Sequence, residues 1–348
     1  MKTLHKYILK EFFPVFFLGN IFFILLLLLD KLIDLADLFF TKNVPGLMII
    51  QTIIFYLPSF LVITIPTSAM LAVMIGYGRL SSDSEITAMR AGGAGKRFFT
   101  LPTLIFGGTA FVLGLMMSFW LMPHGSLNAI SNISKMAKLV SIKDLKEKEL
   151  YDQIPGMVFY AVKKNSDAEY ENMIIIEKNR NSVITSSKAQ ILPSGNAGLL
   201  MNLENGRIIS LNKDGKHSTV NFKSFKLNSP LLETEEFTIR SERLMKTSDL
   251  IANFGNGSIY KFELSKRISM PFAAIIMSVF GMSLGIFFHR GGRSLAIPIT
   301  IAVVAIYNIL FFTSQNLAVS GFIEPILAAW IPNIIFAVLA LLFYRRAL

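Results

Sequence analysis

The chain contains no cysteine, which excludes disulfides, thiol catalysis and thiolate metal sites. A folded domain outside the cytoplasm must then be held by its own apolar core. Charge is also scarce: Asp, Glu, Lys and Arg make up 16% of 348 residues, where soluble domains carry about a quarter. Acidic residues are the rarer sign, 23 against 34 basic, for a net charge of +11. Asp and Glu are nearly absent from the middles of the long apolar runs, which argues against a carrier built on a proton relay. The four histidines, His5, His124, His217 and His289, lack metal-ligand spacing, so neither a metal nor another cofactor is expected. No Gly-x-Ser-x-Gly elbow is present. GGAGKR at 92–97 suggests a phosphate loop only superficially. No glycine stands five residues before Gly95, and Arg97 replaces the required Ser or Thr. The chain is therefore not expected to be an enzyme, and active transport would need energy from a partner.

What is present points to a bilayer. Hydrophobic residues make up 53% of the chain, 30 of them Phe, and mean hydropathy is +0.54. Six segments are long and apolar enough to span the hydrocarbon, at 12–38, 47–77, 98–122, 268–288, 295–318 and 322–344. Pro14, Pro58, Pro66, Pro102, Pro298 and Pro332 fall in or beside them, as spanning helices tolerate when neighbours satisfy the freed backbone groups. The basic start, Met1–Lys10, followed by the run Phe12–Leu29 without a small-residue cleavage site, reads as a retained signal anchor.

Lys and Arg set the orientation. Lys2, Lys6 and Lys10 precede the first span. Arg79, Arg90, Lys96 and Arg97 lie between the second and third, Arg290 and Arg293 follow the fourth, and Arg345 and Arg346 end the chain. The opposite short loops hold only Lys31 and Lys42, offset by acids. Both termini are thus expected in the cytoplasm, and the positive charge reads as topology and contact with anionic lipid rather than nucleic acid.

The stretch 123–262 then lies outside the cytoplasm, between membrane parts 1–122 and 263–348. Its strand-like runs are 157–164, 171–179, 182–192, 198–212 and 218–227. Turn signals accompany them at Asn165–Asp167, Pro193–Asn196, Glu204–Gly206 and Lys213–Gly215, and helical connectors are expected at 126–150 and 241–266. The expected fold is a membrane α-helical protein of six transmembrane helices, 3+3, with an inserted extracytoplasmic all-β, jellyroll-like domain.

The most informative loop is LSSDSEITAMRAGG at 80–93. Ser81 or Ser82 can cap a short helix with Asp83 and Glu85 in its first turn; Ile86, Ala88 and Met89 form an apolar stripe, and Gly92-Gly93 ends it. Such a helix can lie on the membrane surface, or dock into a separate motor subunit.

Residues 66–97, PTSAMLAVMIGYGRLSSDSEITAMRAGGAGKR, resemble the lipopolysaccharide-export permease family LptF/LptG (YjgP/YjgQ). So do ELSKRISMPFAAIIMSVFGMSLGI at 263–286, HRGGRS at 289–294 and the closing WIPN…YRR at 330–346. The resemblance implies a six-helix permease with a periplasmic jellyroll, paired with a second permease subunit and driven by a cytoplasmic ATPase dimer. Lipopolysaccharide would leave the outer leaflet of the inner membrane and pass to a periplasmic bridge protein. It assigns ATPase coupling to Glu85, with Ser84, Asp83 and Arg90 as further candidates. It also makes Lys31 a lipid-phosphate contact, where the alternative is a snorkelling lysine paired with Asp34. Lys266 and Arg267 are further lipid candidates, or plain interfacial anchors. SEIT and Lys31 lean towards the F-type subunit, PHGS at 123–126 suits the G-type, and a homodimer stays open. The rival function is a scaffold or mechanotransmitter whose outer domain binds a protein and moves no lipid; an intramembrane enzyme ranks last.

Overall fold

The computed structural model describes residues 2–40, 45–140, 147–154, 157–166, 168–177, 182–194, 198–211, 217–230, 244–255, 257–287 and 292–347. Nine helices appear among them: α1 Lys2–Phe40, α2 Gly46–Ser82, α3 Glu85–Ala91, α4 Lys96–Met116, α5 Met122–Val140, α6 Thr247–Ala252, α7 Ser258–Phe287, α8 Gly292–Val319 and α9 Pro325–Ala347. A π-helical turn, Met117–Leu121, joins α4 to α5. Six stretches are long and apolar enough to cross a bilayer, from Thr3–Leu29 to Pro325–Arg346. The expected six spans are therefore present. Helix α1 ends at Phe40, close to the expected 38, α2 runs on to Ser82 past the expected 77, and the third span continues beyond 122 through the π-helical turn into α5 despite Pro123.

Two compact units form. The helical unit comprises Met1–Asp34, Ile53–Leu127 and Glu242–Leu348, so both ends of the sequence contribute to one bundle. Its centre is α7, whose apolar window is 72% buried. Small residues explain that position, because they let neighbouring backbones come close where no water drives packing. A Cβ built on Gly281 would stand 2.5 Å from the Met70 carbonyl oxygen of α2, a contact no larger residue could make. Phe23, Met70, Phe280, Phe311 and Phe336 pack around it. Buried polar groups tie the helices together: Tyr307 donates to Asn333 Oδ1 at 3.1 Å, and Asn333 Nδ2 donates to the Ser269 carbonyl at 2.7 Å. Thr64 donates to Asn20 Oδ1 at 3.0 Å.

The second unit, Leu35–Thr52 with Asn128–Ser241, holds an antiparallel six-stranded sheet. Its strands are β1 Leu150–Ile154, β2 Met157–Lys164, β3 Glu169–Glu177, β4 Ser182–Ser194, β5 Gly198–Leu211 and β6 His217–Pro230, each paired with the next in the chain. Phe159, Tyr170, Met173, Ile175, Ile184, Ile191, Met201 and Leu203 build one buried face. A crease crosses the sheet. Asn172 and Asn205 sit in the left-handed region, with φ of 52° and 49°, a conformation asparagine tolerates better than most residues. The ladder register continues on both sides of them. The in–out alternation of β3, β4 and β5 nevertheless slips by one residue along this line. Glu204–Gly206, expected as a turn, is therefore part of an unbroken β5. The turn expected at Lys213–Gly215 lies outside the described residues.

Candidate functional site

The loop between the second and third spans is organised by backbone geometry more than by caps. Helix α2 continues through Ser82, so neither Ser81 nor Ser82 caps α3 as expected; Ser84 holds the N-cap position in a left-handed conformation, φ 60°, with no side-chain cap bond. Asp83 accordingly sits in the turn before α3 rather than in its first turn. The end is as the glycines predict. Gly93 adopts φ 91°, its N–H donates to the Arg90 carbonyl, and the Ala94 N–H donates to that of Met89, a Schellman closure. Ile86 is 4% exposed and packs among Phe12, Tyr77, Leu80, Phe98 and Phe99, with half-buried Met89 against the same cluster. Ala88, expected on that stripe, faces outward.

A polar network holds the start of α3. Arg79, in the last turn of α2, meets Glu11 Oε1 at 2.9 Å and donates to Tyr7 Oη at 2.9 Å. Tyr7 in turn donates to Glu85 Oε1 at 3.2 Å, and Asp83 stands 4.0 Å from Arg79. Glu85, Asp83 and Ser84 thus lie at one corner where α1, α2 and α3 meet, while Arg90 is exposed in the last turn of α3. Tyr7, Glu11 and Arg79 are absent from the sequence candidates. Their only trace is one carboxylate, Glu11, in an otherwise basic N-terminal stretch, and its partner is distant in the chain.

The lipid candidates fall elsewhere. Lys31 lies on α1, and its side chain and that of Asp34 are outside the described residues. Lys266 and Arg267 occupy α7. Lys266 Nζ pairs with the buried Glu263 at 3.1 Å. Arg267, 1% exposed, donates to Thr247 Oγ1 at 2.8 Å and to the Met245 carbonyl at 2.7 Å, with Glu263 at 4.0 Å. In this conformation both cations are engaged by the protein itself, and Glu263 is the acid that sequence reading passed over. A narrow apolar crevice between α2, α7 and α8, lined by Val62, Pro66, Met277, Val304, Tyr307 and Asn308, is too tight for a lipid tail.

The sequence model of the family described as lipopolysaccharide export system permease LptF/LptG matches residues 6–346, nearly the whole chain. The chain belongs to that family. The LptF permease protein of Escherichia coli K12 is 19% identical over 341 residues, covering 92% of this chain and 89% of its own. The LptF permease protein of Shigella flexneri matches to the same extent. An uncharacterized protein of Rickettsia prowazekii is 22% identical over 338 residues, covering 92% and 91%. LptF/LptG membership makes this chain a multi-pass inner-membrane permease of lipopolysaccharide export, a transport component rather than an enzyme. The six spanning helices and the inserted antiparallel sheet are the architecture that assignment requires.

Proposed function

We propose that the chain is one permease subunit of an ATP-binding-cassette exporter that extracts lipopolysaccharide from the outer leaflet of the inner membrane and passes it through its β-sheet domain to a periplasmic bridge protein. Both termini and α3 face the cytoplasm, and 123–262 lies in the periplasm between the membrane parts 1–122 and 263–348. A second permease subunit, a paralogue or another copy of this chain, completes a cavity walled by α1 and α8.

The observation that supports this reading most is the anchoring of α3. A cytoplasmic ATPase dimer docks on α3, with Glu85 facing a basic residue of the ATPase and Asp83, Ser84 and Arg90 beside it. Because Ile86 is buried among side chains of α1, α2 and α4, a push on α3 is carried into three helices rather than absorbed in the loop. Interiors this tightly packed transmit displacement. An external drive is needed, since each CH₂ lifted from the bilayer costs about 0.8 kcal/mol.

Lys31, Lys266 and Arg267 contact the lipid phosphates. For Lys266 and Arg267 this means exchanging Glu263 and Thr247 for phosphate, each exchange giving up a charge-assisted hydrogen bond that contributes about 1.5–3 kcal/mol.

Glu85→Ala tests the coupling. The variant should melt like the native chain but bind its ATPase dimer about tenfold more weakly, as expected for one lost interfacial charge pair. Unchanged affinity would remove Glu85 from the mechanism.

A further inference from the structure

Helix α7 is largely buried in the bundle, yet one stripe of it, Phe272, Ile275 and Val279, is only partly covered. Helices α4 and α9 both pack on α7, and the stripe forms the floor of a groove between them. An aromatic row closes one end: Phe272 lies 5.6 Å from Phe111 of α4 and 5.3 Å from Trp330 of α9, between ring centroids. At the other end Tyr344 Oη of α9 stands 3.0 Å from Thr100 Oγ1 of α4. From Thr100 to Phe111 a helix rises about 16 Å, roughly half the 30 Å thickness of the hydrocarbon. The groove between the two crossbars therefore has the depth of one leaflet. Its walls are apolar and open. Leu104, Ile334 and Leu341 are 43%, 54% and 59% exposed, and a Cβ on Gly108 would meet nothing within 4 Å.

Beyond the Thr100–Tyr344 crossbar the walls become basic. Lys96 and Arg97 lie one turn before Thr100 on the same stripe of α4, and Arg345 and Arg346 follow Tyr344 on α9. All four are exposed, and among the described residues none pairs with a carboxylate. Lys96 Nζ sits 5.9 Å above the Tyr344 ring, which holds it at the mouth of the groove. The positive end of the α4 dipole adds to the same field, with no acid in its first turn.

We infer that the groove between α4 and α9 is a binding site for one anionic phospholipid of the bilayer, with an acyl chain laid along the α7 stripe and the phosphate held by Lys96, Arg97 and Arg345. Length and charge choose the occupant together. A leaflet-deep apolar groove fits a single lipid's chain, and basic residues clustered at its membrane-surface end draw an anionic headgroup. A zwitterionic headgroup brings no net charge to the four cations, and an apolar protein segment would leave them unanswered. The bound lipid would bridge a helix from the first half of the chain to one from the second. Neither α1 nor α8 contributes to the groove, so the site is separate from the export cavity proposed above and stands or falls independently of it.

The full chain, purified in detergent, is titrated with phosphatidylglycerol or phosphatidylcholine, and native mass spectrometry counts the lipids bound. One phosphatidylglycerol should bind at least about tenfold more tightly than phosphatidylcholine. Lys96→Gln combined with Arg97→Gln should weaken it about 25-fold, roughly fivefold for each basic residue removed. Gly108→Leu fills the groove without changing charge and should also abolish the tight site, which a diffuse electrostatic attraction would not do. Should Gly108→Leu fail to fold, Ile334→Trp fills the same space from the opposite wall. Equal affinity for the two lipids, or native phosphatidylglycerol affinity in the filled-groove variant, would overturn the proposal. Displacement of the bound lipid by added lipopolysaccharide would overturn it too, by giving the groove to the exported lipid.

Discussion

Glu11 pairs directly with Arg79, and Tyr7 joins Arg79 to Glu85. The Tyr7 hydroxyl accepts from Arg79 and donates to Glu85, so one phenol fixes both the end of α2 and the start of α3. Exposed hydrogen bonds of this kind contribute about 1 kcal/mol. Tyr7→Phe should therefore speed amide exchange within 85–92 about fivefold and leave the sheet unchanged; unchanged exchange in that segment would show that Ile86 packing alone holds α3. On the sheet, Glu171 accepts from Asn165 Nδ2 at 2.7 Å, with Lys163 at 3.8 Å. The amide first, and then the lysine charge, hold its carboxyl below the usual glutamate range. A folded value lowered in this way gives stability that is present above the ordinary glutamate pKa and fades as pH falls through the folded one. Protection of the β2–β3 hairpin should thus weaken below about pH 4 in the native chain and lose that dependence in Glu171→Gln. An identical acid response in the two chains would contradict the assignment.

At the scale of elements, the bundle depends on how near α7 can approach its neighbours. Gly281→Val would force a side chain against the Met70 carbonyl, and overpacking of this kind costs about 1–3 kcal/mol. Its melting midpoint in detergent should fall by several degrees, and a midpoint equal to the native one would show that α2 and α7 can separate freely. The strands were legible where alternation was long. The run 157–164 coincides with β2, and 198–212 with β5 to within a residue. Strand β1 was not, because Leu150–Ile154 is five residues with two polar side chains at its centre. Asn205-Gly206 carries the composition of a hairpin turn, yet pairing with β4 and β6 on both sides overrides the local preference.

For the whole molecule, hydropathy predicted six crossings because bilayer thickness fixes the length of each, and charge placement suggested an orientation. Hydropathy could not show that Met1–Asp34 and Glu242–Leu348 join one unit, nor that Arg79 reaches back to Glu11, since no local period records contacts so distant in sequence. The site was readable at Glu85 through a resemblance of the SEIT string and its surroundings; the tyrosine and arginine that hold it emerged only in three dimensions. The same is true of the buried Glu263–Arg267–Thr247 cluster: the sequence offers Lys266 and Arg267 as lipid contacts or interfacial anchors and gives no sign of their protein partners.

The central claim is that force entering at α3 expels an anionic, many-tailed lipid. Its most direct measurement is ATP-dependent release of lipopolysaccharide from proteoliposomes holding this chain, its partner permease and their ATPase, with a soluble bridge protein as acceptor. The account predicts release that requires ATP and is weakened by Glu85→Ala while the β-sheet domain stays folded. Release that proceeds equally without ATP, or a complex that turns over ATP and binds the acceptor yet moves no lipid, would contradict it and favour a scaffold that only transmits force.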